Sequence, residues 1–326
     1  MTTTKVQEGY AKGERYQKDF SFSARKAITK NMLRAKEQIT DLLGAKKTVN
    51  LSFMPSMDEI YLKVIYEVLM PRAQRTGRNE ILVPKGEKTS LIRLLKGAGR
   101  LGLSFKEVEV EKLDAAISKR TLSVMISWCE EFSGKIHPIF QVANLCKEQD
   151  LFLFVDATES VGKVFFRFQD SNIDMIAFSY GSMACAAGDH PQMKTDAWGE
   201  LFDLKDFFAM SAFAEEALEM MDVNPMEYSI IKNEVIDRVE NGPLACKFAN
   251  KGAKFLFDRW CFSFDGVLAE NLAYLLREKG ILVEYVHGAK ETVALRFDLM
   301  TSKIQIFEMW DTIIETAKAI KEFSND

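Results

Sequence analysis

Charged and polar side chains follow several of the apolar segments, and they are the residues of this sequence best suited to chemistry. Asp156 comes directly after the apolar run Leu151–Val155, and Glu159 follows on the same loop. Such carboxylates either bind a small cationic or zwitterionic ligand or form a self-neutralising network with nearby cations. An aspartate at a strand end also commonly caps the next turn, so both interpretations stay open. The other residues at such positions are Asp58, Lys88, Glu130, Glu131, Ser179, Ser182 and Arg296.

Metal chemistry has little support in the residue types. The three histidines are His137, His190 and His287, and no two are spaced as i and i+4. The five cysteines form no C-x-x-C pair, and their odd number favours reduced thiols over a disulfide framework. We therefore predict no metal site and a reducing compartment.

Composition excludes several classes of protein. The chain has 326 residues with 43 Lys plus Arg against 47 Asp plus Glu, so its net charge of -4 gives no general reason to bind nucleic acid. Its apolar runs are far shorter than the roughly 20 residues of a membrane span. The first twenty residues are too charged for a secretory signal. These features predict a cytoplasmic protein that binds neither nucleic acid nor membrane.

Alternating helices and strands are predicted for the first two thirds of the chain. About twenty residues precede the first helix, Ser21–Leu43, whose apolar residues recur every three or four positions and which stops at Gly44. The strands that follow are apolar on both faces, which is typical of a buried parallel sheet covered by helices. We predict a doubly wound α/β fold with ligands outside the carboxyl ends of its strands. The predicted strands are 49–53, 80–83, 103–110, 121–128, 151–155 and 173–179.

The remainder of the chain has a different pattern. The turn Asn241-Gly242-Pro243 predicts a domain boundary after two helical stretches. Beyond this turn we predict three strands, at 260–264, 282–286 and 292–297, and two helices. The expected organisation is a large α/β domain, residues 1–240, and a small α+β domain, residues 241–326.

Three segments, in the right order, carry a resemblance to a known family. Residues 134–139 read GKIHPI, residues 155–163 read VDATESVGK, and residues 173–179 read IDMIAFS. They resemble the G-T-I-x-P-I, D-A-x-Q-x-x-G and D-x-x-x-x-S-x-H-K motifs of the class V aminotransferases, specifically the cysteine desulfurases. The resemblance implies the fold of pyridoxal phosphate (PLP) enzymes and their habit of forming dimers.

The resemblance fails at the positions that carry the family's chemistry. The lysine that forms the Schiff base aligns with Ser182, whose hydroxyl cannot form an imine. The histidine that stacks on the cofactor ring aligns with Lys88. Asp58 stands where a helix N-terminus holds the phosphate, and a carboxylate about 5 Å from a phosphate costs on the order of 3 kcal/mol. An asparagine facing the cofactor becomes Glu130 or Glu131, and a glutamine becomes Glu159.

Two family positions are retained. Asp156 aligns with the aspartate that pairs with the pyridine nitrogen, and Arg296 aligns with the arginine that holds a substrate carboxylate. Each also has a structural interpretation, as a turn cap and as a domain-interface ion pair. The segment Glu284–Lys290, which aligns with the family's mobile loop, contains no cysteine to accept sulfur.

These matches and departures lead to a hypothesis and two alternatives. The hypothesis is a catalytically inactive desulfurase-like protein with a binding or regulatory role, no cofactor, a homodimeric state, and a polar pocket for a small-molecule ligand. The first alternative is an active PLP enzyme that uses a relocated lysine, Lys194 or Lys88. The second is a partner subunit that forms a heterodimer with an active desulfurase.

Overall fold

The protein consists of two compact units, which are described separately. The larger takes in Thr2–Trp128 and His137–Glu219, and the smaller takes in Cys129–Ile136 and Met220–Asp326. None of the described helices is long and apolar enough to cross a membrane. The computed structural model describes residues 3–18, 21–46, 49–194, 203–221, 224–240, 244–250, 254–285, 292–297 and 301–323.

A mainly parallel seven-stranded sheet forms the centre of the larger unit, which confirms the predicted fold class. Its strand order is β1-β7-β6-β5-β4-β2-β3. Five neighbouring strands, β6, β5, β4, β2 and β3, are parallel to one another. Strand β7 runs antiparallel to both of its neighbours, β6 and β1. The strands are β1 (Asn50–Met54), β2 (Glu80–Pro84), β3 (Ser104–Val108), β4 (Thr121–Ser127), β5 (Phe152–Asp156), β6 (Met175–Tyr180) and β7 (Met183–Gly188).

The central strands β4 and β5 fix the position of the candidate site. Every residue of β4 and β5 is buried, as expected for strands covered on both faces. Their register pairs Ile126 with Val155 and Ser127 with Asp156. Asp156 is therefore the last residue of a central strand, at the carboxyl edge where doubly wound sheets bind ligands.

Helices cover this sheet, and one of them contains a wide turn. Ser56 caps the helix Met57–Lys63 by accepting a hydrogen bond from the Glu59 amide at 3.3 Å. The chain then passes through a π-helical segment, Val64–Leu69, before Pro71, which has no amide hydrogen to continue a regular helix. The helices of this unit are α1 (Thr4–Lys18), α2 (Phe22–Leu42), α3 (Met57–Lys63), α4 (Met70–Thr76), α5 (Thr89–Ala98), α6 (Leu113–Ala116), α7 (Ile139–Glu148) and α8 (Leu204–Met220).

Helix α1 and strand β7 were not predicted from the sequence. The α1 segment has few apolar residues and two helix-weakening glycines, Gly9 and Gly13. Those glycines let α1 lie directly against α8, because a Cβ on Gly13 would come within 2.2 Å of the Lys205 Cα. Strand β7 is rich in alanine, which disfavours strands locally, and only its pairing with β6 and β1 makes it a strand.

Substitution of Gly13 tests this close helix contact. We expect Gly13→Ala to detach α1 from α8, because the new methyl group overlaps main-chain atoms of Lys205 that cannot rotate away. Hydrogen exchange of the α1 amides should accelerate strongly. Gly97→Ala, in α5 with open space around it, is the matched control and should stabilise the protein by up to about 1 kcal/mol. Unchanged exchange in α1 of the Gly13→Ala protein would contradict the packing.

The smaller unit is a four-stranded antiparallel sheet with helices. Its strand order is β10-β11-β9-β8, and its core contains the fully buried rings of Trp260, Phe262 and Trp310. The three-residue strand β8 was not predicted. The elements are α9 (Asn224–Glu240), β8 (Cys246–Phe248), β9 (Arg259–Phe264), α10 (Ala269–Glu278), β10 (Val283–Tyr285), β11 (Val293–Arg296) and α11 (Lys303–Phe323).

The division between the units differs from the predicted boundary after residue 240. The predicted boundary places the helical stretch that ends at residue 240 in the larger domain, as a linking helix. In the structure Tyr228, Ile231 and Val235 of helix α9 (Asn224–Glu240) belong to the core of the smaller unit. The segment Cys129–Ile136 also belongs there, through contacts far apart in sequence. The turn Asn241-Gly242-Pro243 lies outside the described residues.

Candidate functional site

The Asp156 carboxylate is the centre of a buried polar network in the larger unit. Its side chain is 3% exposed, and its Oδ2 accepts hydrogen bonds from Lys88 Nζ at 2.8 Å and from the Tyr61 hydroxyl at 2.5 Å. Its Oδ1 accepts the Thr158 amide at 2.9 Å. Both oxygens of this carboxylate are thus engaged by the protein itself.

These partners decide the ionisation of the network. Burial by itself would raise the pKa of Asp156, but the charge and hydrogen bond of Lys88, with the bonds from Thr158 and Tyr61, hold it below its ordinary value. Burial, and then the negative charge of Asp156, raise the pKa of Tyr61 well above its ordinary value. Tyr61 is therefore a neutral donor beside an ionised carboxylate and an ammonium group.

A second carboxyl group lies one residue before Lys88. Glu87 Oε1 accepts the Ser127 amide and Oε2 accepts the Ser127 hydroxyl, both at 2.6 Å. Burial raises the pKa of Glu87 to about 7. The charge of Asp156 also raises it, and the hydrogen bonds from Ser127 lower it in part. This carboxyl group therefore keeps its proton to a higher pH than an ordinary glutamate does.

The raised pKa of Glu87 predicts a specific pH dependence of stability. Between pH 4.5 and about 7 the native Glu87 holds a proton that the unfolded chain has released. The free energy of unfolding therefore falls as pH rises through this window, by up to about 3 kcal/mol, and this contribution is constant above it.

Chemical denaturation of the wild type and of Glu87→Gln across this pH range measures the effect. Glutamine keeps the acceptor for the Ser127 amide but does not titrate, so the stability of the variant relative to wild type should increase from pH 4.5 to 7. Parallel pH profiles of the two proteins would refute the assignment.

Ser179 joins the Asp156 network through Thr158. The Ser179 amide donates to Thr158 Oγ1 at 3.1 Å, and the two hydroxyl oxygens are 3.3 Å apart. The Thr158 amide in turn contacts Asp156. The loop after β5 and the end of β6 are thereby tied together at the carboxyl edge of the sheet.

Ser182 lies in a different hydrogen-bonded group. Gly181 and Ser182 form the two-residue turn between β6 and β7, where Tyr180 pairs with Met183, and Gly181 has the positive φ of 59° that such turns require. Ser182 is exposed, and its hydroxyl donates to Asp206 Oδ2 at 2.7 Å. A Cβ on Gly181 would be 3.0 Å from the Tyr10 hydroxyl, so one side of this exposed turn lies close to α1.

The remaining predicted site residues have separate surroundings. Asp58 is partly exposed and forms an ion pair with Arg93 at 3.2 Å. Glu159 is buried on the loop after β5. Glu131 and Arg296 are exposed residues of the smaller unit, and the main-chain carbonyl of Glu131 accepts a hydrogen bond from Arg259.

Sequence reasoning missed four important partners in the larger unit. Tyr61 and Thr158 complete the shell of Asp156, and Tyr10 and Asp206 surround the Gly181-Ser182 turn. The tyrosines carry no motif and lie on helices far from their partners in sequence. Thr158 was recoverable, since an aspartate often bonds the amide two residues later.

The described residues contain no group of three or more His, Cys, Asp or Glu side chains placed to hold a metal ion. His137 is buried, and its main-chain amide bonds to the Trp128 carbonyl at 2.8 Å. His190 lies edge-on to Phe152. His287 is outside the described residues.

Comparisons with known proteins agree with the geometry of the sheet. The family described as "Aminotransferase class-V" matches residues 2–188. A "Cysteine desulfurase" from Enterobacter agglomerans is 25% identical over 237 residues, which is 64% of this chain and 56% of that protein. "Cysteine desulfurase IscS" from Glaesserella parasuis serovar 5 is 28% identical over 44% of this chain and 37% of its own length. The matches thus span about two fifths to just over half of these relatives.

Solved structures extend the likeness in fold to nearly the whole chain. A structure titled "NIFS-LIKE PROTEIN" superposes with a TM-score of 0.83 at 16% identity, covering 96% of this chain and 95% of that one. The cysteine desulfurase CsdA from Escherichia coli superposes with a TM-score of 0.82 at 14% identity, covering 98% and 93%. At such identities the likeness establishes the fold.

Proposed function

We propose, from the premise that the chain belongs to the class V aminotransferase family, that it is a catalytically inactive member with a binding or regulatory role. The observation that carries the proposal is the environment of Ser182, at the position of the family's Schiff-base lysine. An exposed serine in a tight turn, bonded to Asp206 at 2.7 Å, cannot form an imine with an aldehyde.

The surroundings of Asp156 support a protein without PLP. A pyridine ring nitrogen could reach Asp156 Oδ2 only by displacing Lys88 or Tyr61, which contact it at 2.8 and 2.5 Å. Asp58 opens α3, where a phosphate would meet its negative charge. The residues present therefore do not fit PLP, and we expect no cofactor.

The cysteines support the absence of sulfur transfer. All five are buried, free thiols. Burial raises the pKa of Cys146 to about 12 and that of Cys261 to about 11, and it also raises the pKa of Cys185. A thiolate is the nucleophile that accepts sulfur, and thiols with such pKa values supply very little of it at neutral pH.

Absorbance spectroscopy tests the proposal. Purified protein is titrated with PLP, and an active cysteine desulfurase is titrated in parallel as the positive control. We expect no saturable aldimine band and no release of alanine from cysteine by this protein. A saturable band, or alanine formed at a rate comparable to the control, would end the proposal.

A relocated lysine is the second candidate, and the position of Lys88 is the observation that favours it. Its amino group is 2.8 Å from Asp156 Oδ2, at the carboxyl edge of the central strands. Lys194 is the other candidate, and its side chain is outside the described residues. Borohydride reduction in the presence of PLP, followed by peptide mass mapping, should label one of these lysines if the enzyme is active. Lys88→Arg, which keeps the cation but cannot form an imine, is the control for Lys88.

The proposed setting is a homodimer in the cytoplasm, supported by the fold of the family and by five reduced cysteines. A heterodimer with an active desulfurase is the alternative assembly. Sedimentation of the purified protein distinguishes monomer from homodimer. Affinity purification from the native host should enrich a desulfurase if the heterodimer exists, and its absence would count against that assembly.

A further inference from the structure

The Asp156 carboxylate has the geometry of a cation-binding site. It is 3% exposed and ends a central strand, so water cannot stabilise its charge. The Tyr61 hydroxyl and the Thr158 amide donate hydrogen bonds to this carboxylate, but both donors are uncharged and do not neutralise its negative charge. A buried carboxylate of this kind requires a positive charge within contact distance.

Lys88 brings that charge from a loop. It precedes the first residue of α5 with an extended main chain, φ −50° and ψ 130°, and it follows the turn at Gly86, where φ is 81°. The Lys88 side chain is 16% exposed, and its Nζ is 2.8 Å from Asp156 Oδ2. Four rotatable bonds separate this ammonium from its own Cα, so the charge is held on a flexible side chain.

We propose that Asp156, Tyr61 and Thr158 form a binding site for a small primary ammonium ion, and that Lys88 occupies this site as a tethered ligand of the protein itself. The inference rests on the proposed function, because it assigns the ligand chemistry of the same site. The tether keeps the site filled at all times. An external ammonium competes with a group held at an effective concentration of millimolar or higher.

The site selects by charge and by hydrogen bonding. A primary ammonium offers three N–H donors, as Lys88 does, and so can replace its bond to Oδ2. A neutral alcohol of the same size can fill the space but not compensate the charge. The expected ligand class is therefore small organic primary amines in their protonated form.

Chemical rescue of Lys88→Ala tests the proposal. n-Propylammonium restores the atoms that the substitution removes, and propanol is its neutral counterpart. We expect Lys88→Ala to melt well below the wild type, and saturating n-propylammonium to recover roughly half or more of the lost melting temperature. Propanol should recover little. Wild-type protein should bind n-propylammonium at least about tenfold more weakly than the variant, because Lys88 competes.

The double variant Lys88→Ala/Asp156→Asn is the matched control, and it should show no shift with n-propylammonium. If Lys88→Ala does not fold, the yield of refolding from denaturant with n-propylammonium or propanol replaces the melting experiment. Equal effects of the two compounds, equal rescue of the double variant, or a Lys88→Ala protein as stable as wild type would each overturn the proposal. An aldimine band in wild-type protein would instead refute the proposed function, so the two failures are distinguishable.

Discussion

Replacing Lys88 by methionine is expected to lower the free energy of unfolding by about 3–5 kcal/mol. Methionine keeps most of the length and packing of the side chain but removes the ammonium. The Asp156 carboxylate, 3% exposed, would then remain buried without a compensating charge. Urea denaturation at neutral pH, followed by far-ultraviolet circular dichroism, measures the loss.

A double-mutant cycle separates the charge from the packing. Asp156→Asn in the Lys88→Met background removes the uncompensated charge, so it should recover much of the stability lost by the single variant. Lys85→Met serves as the surface control, because its ion pair with Glu109 at 2.9 Å is largely exposed and its loss should have little measurable effect. Equal losses for Lys85→Met and Lys88→Met would contradict the importance of the buried pair.

Gly134→Ala is expected to destabilise the smaller unit by about 2–5 kcal/mol. Gly134 has a φ of 68°, where an alanine costs about 1–2 kcal/mol. Its Cβ would also lie 2.7 Å from the Cβ of Arg259, a fully buried side chain that bonds to the Glu131 carbonyl. Overpacking of this kind adds about 1–3 kcal/mol. Faster hydrogen exchange of the β9 amides would show that stability is lost in the smaller unit.

Gly266→Ala is the matched control for this prediction. Gly266 belongs to the same unit and has a φ of 81°, but a Cβ there would meet no atom within 4 Å. Its substitution should therefore show the backbone cost of about 1–2 kcal/mol without the steric contribution. If the two variants lose the same stability, the contact between Gly134 and Arg259 is not a source of destabilisation.

The central strands could be predicted because their local pattern and their tertiary environment agree. The runs that became β4 and β5 are apolar on both faces, and both strands are buried throughout. The motif around Asp156 likewise indicated the family, which the match to residues 2–188 confirms. The prediction failed for elements whose local sequence preference disagrees with their tertiary environment. Helix α1 depends on two glycines that fit against α8, and strand β7 depends on its pairing with two other strands.

The candidate site divides in the same way. The sequence identified Asp156, Lys88 and Ser182, and it raised the self-neutralising network as one interpretation of the charged residues. It could not identify Tyr61, which lies 95 residues before its partner. It also could not separate Ser182, bonded to Asp206, from the Asp156 network, which Ser179 joins.

By itself, the sequence determined the alternation of helices and buried strands and the family, and it supplied the candidate site residues. These properties follow from periodicity and from short motifs, which are local. The tertiary structure decided which cation contacts Asp156, which donors complete its shell, and that Ser182 lies in an exposed tight turn bonded to Asp206. Those outcomes depend on distances between residues far apart in the chain, because a buried charge is stabilised only by groups within contact distance.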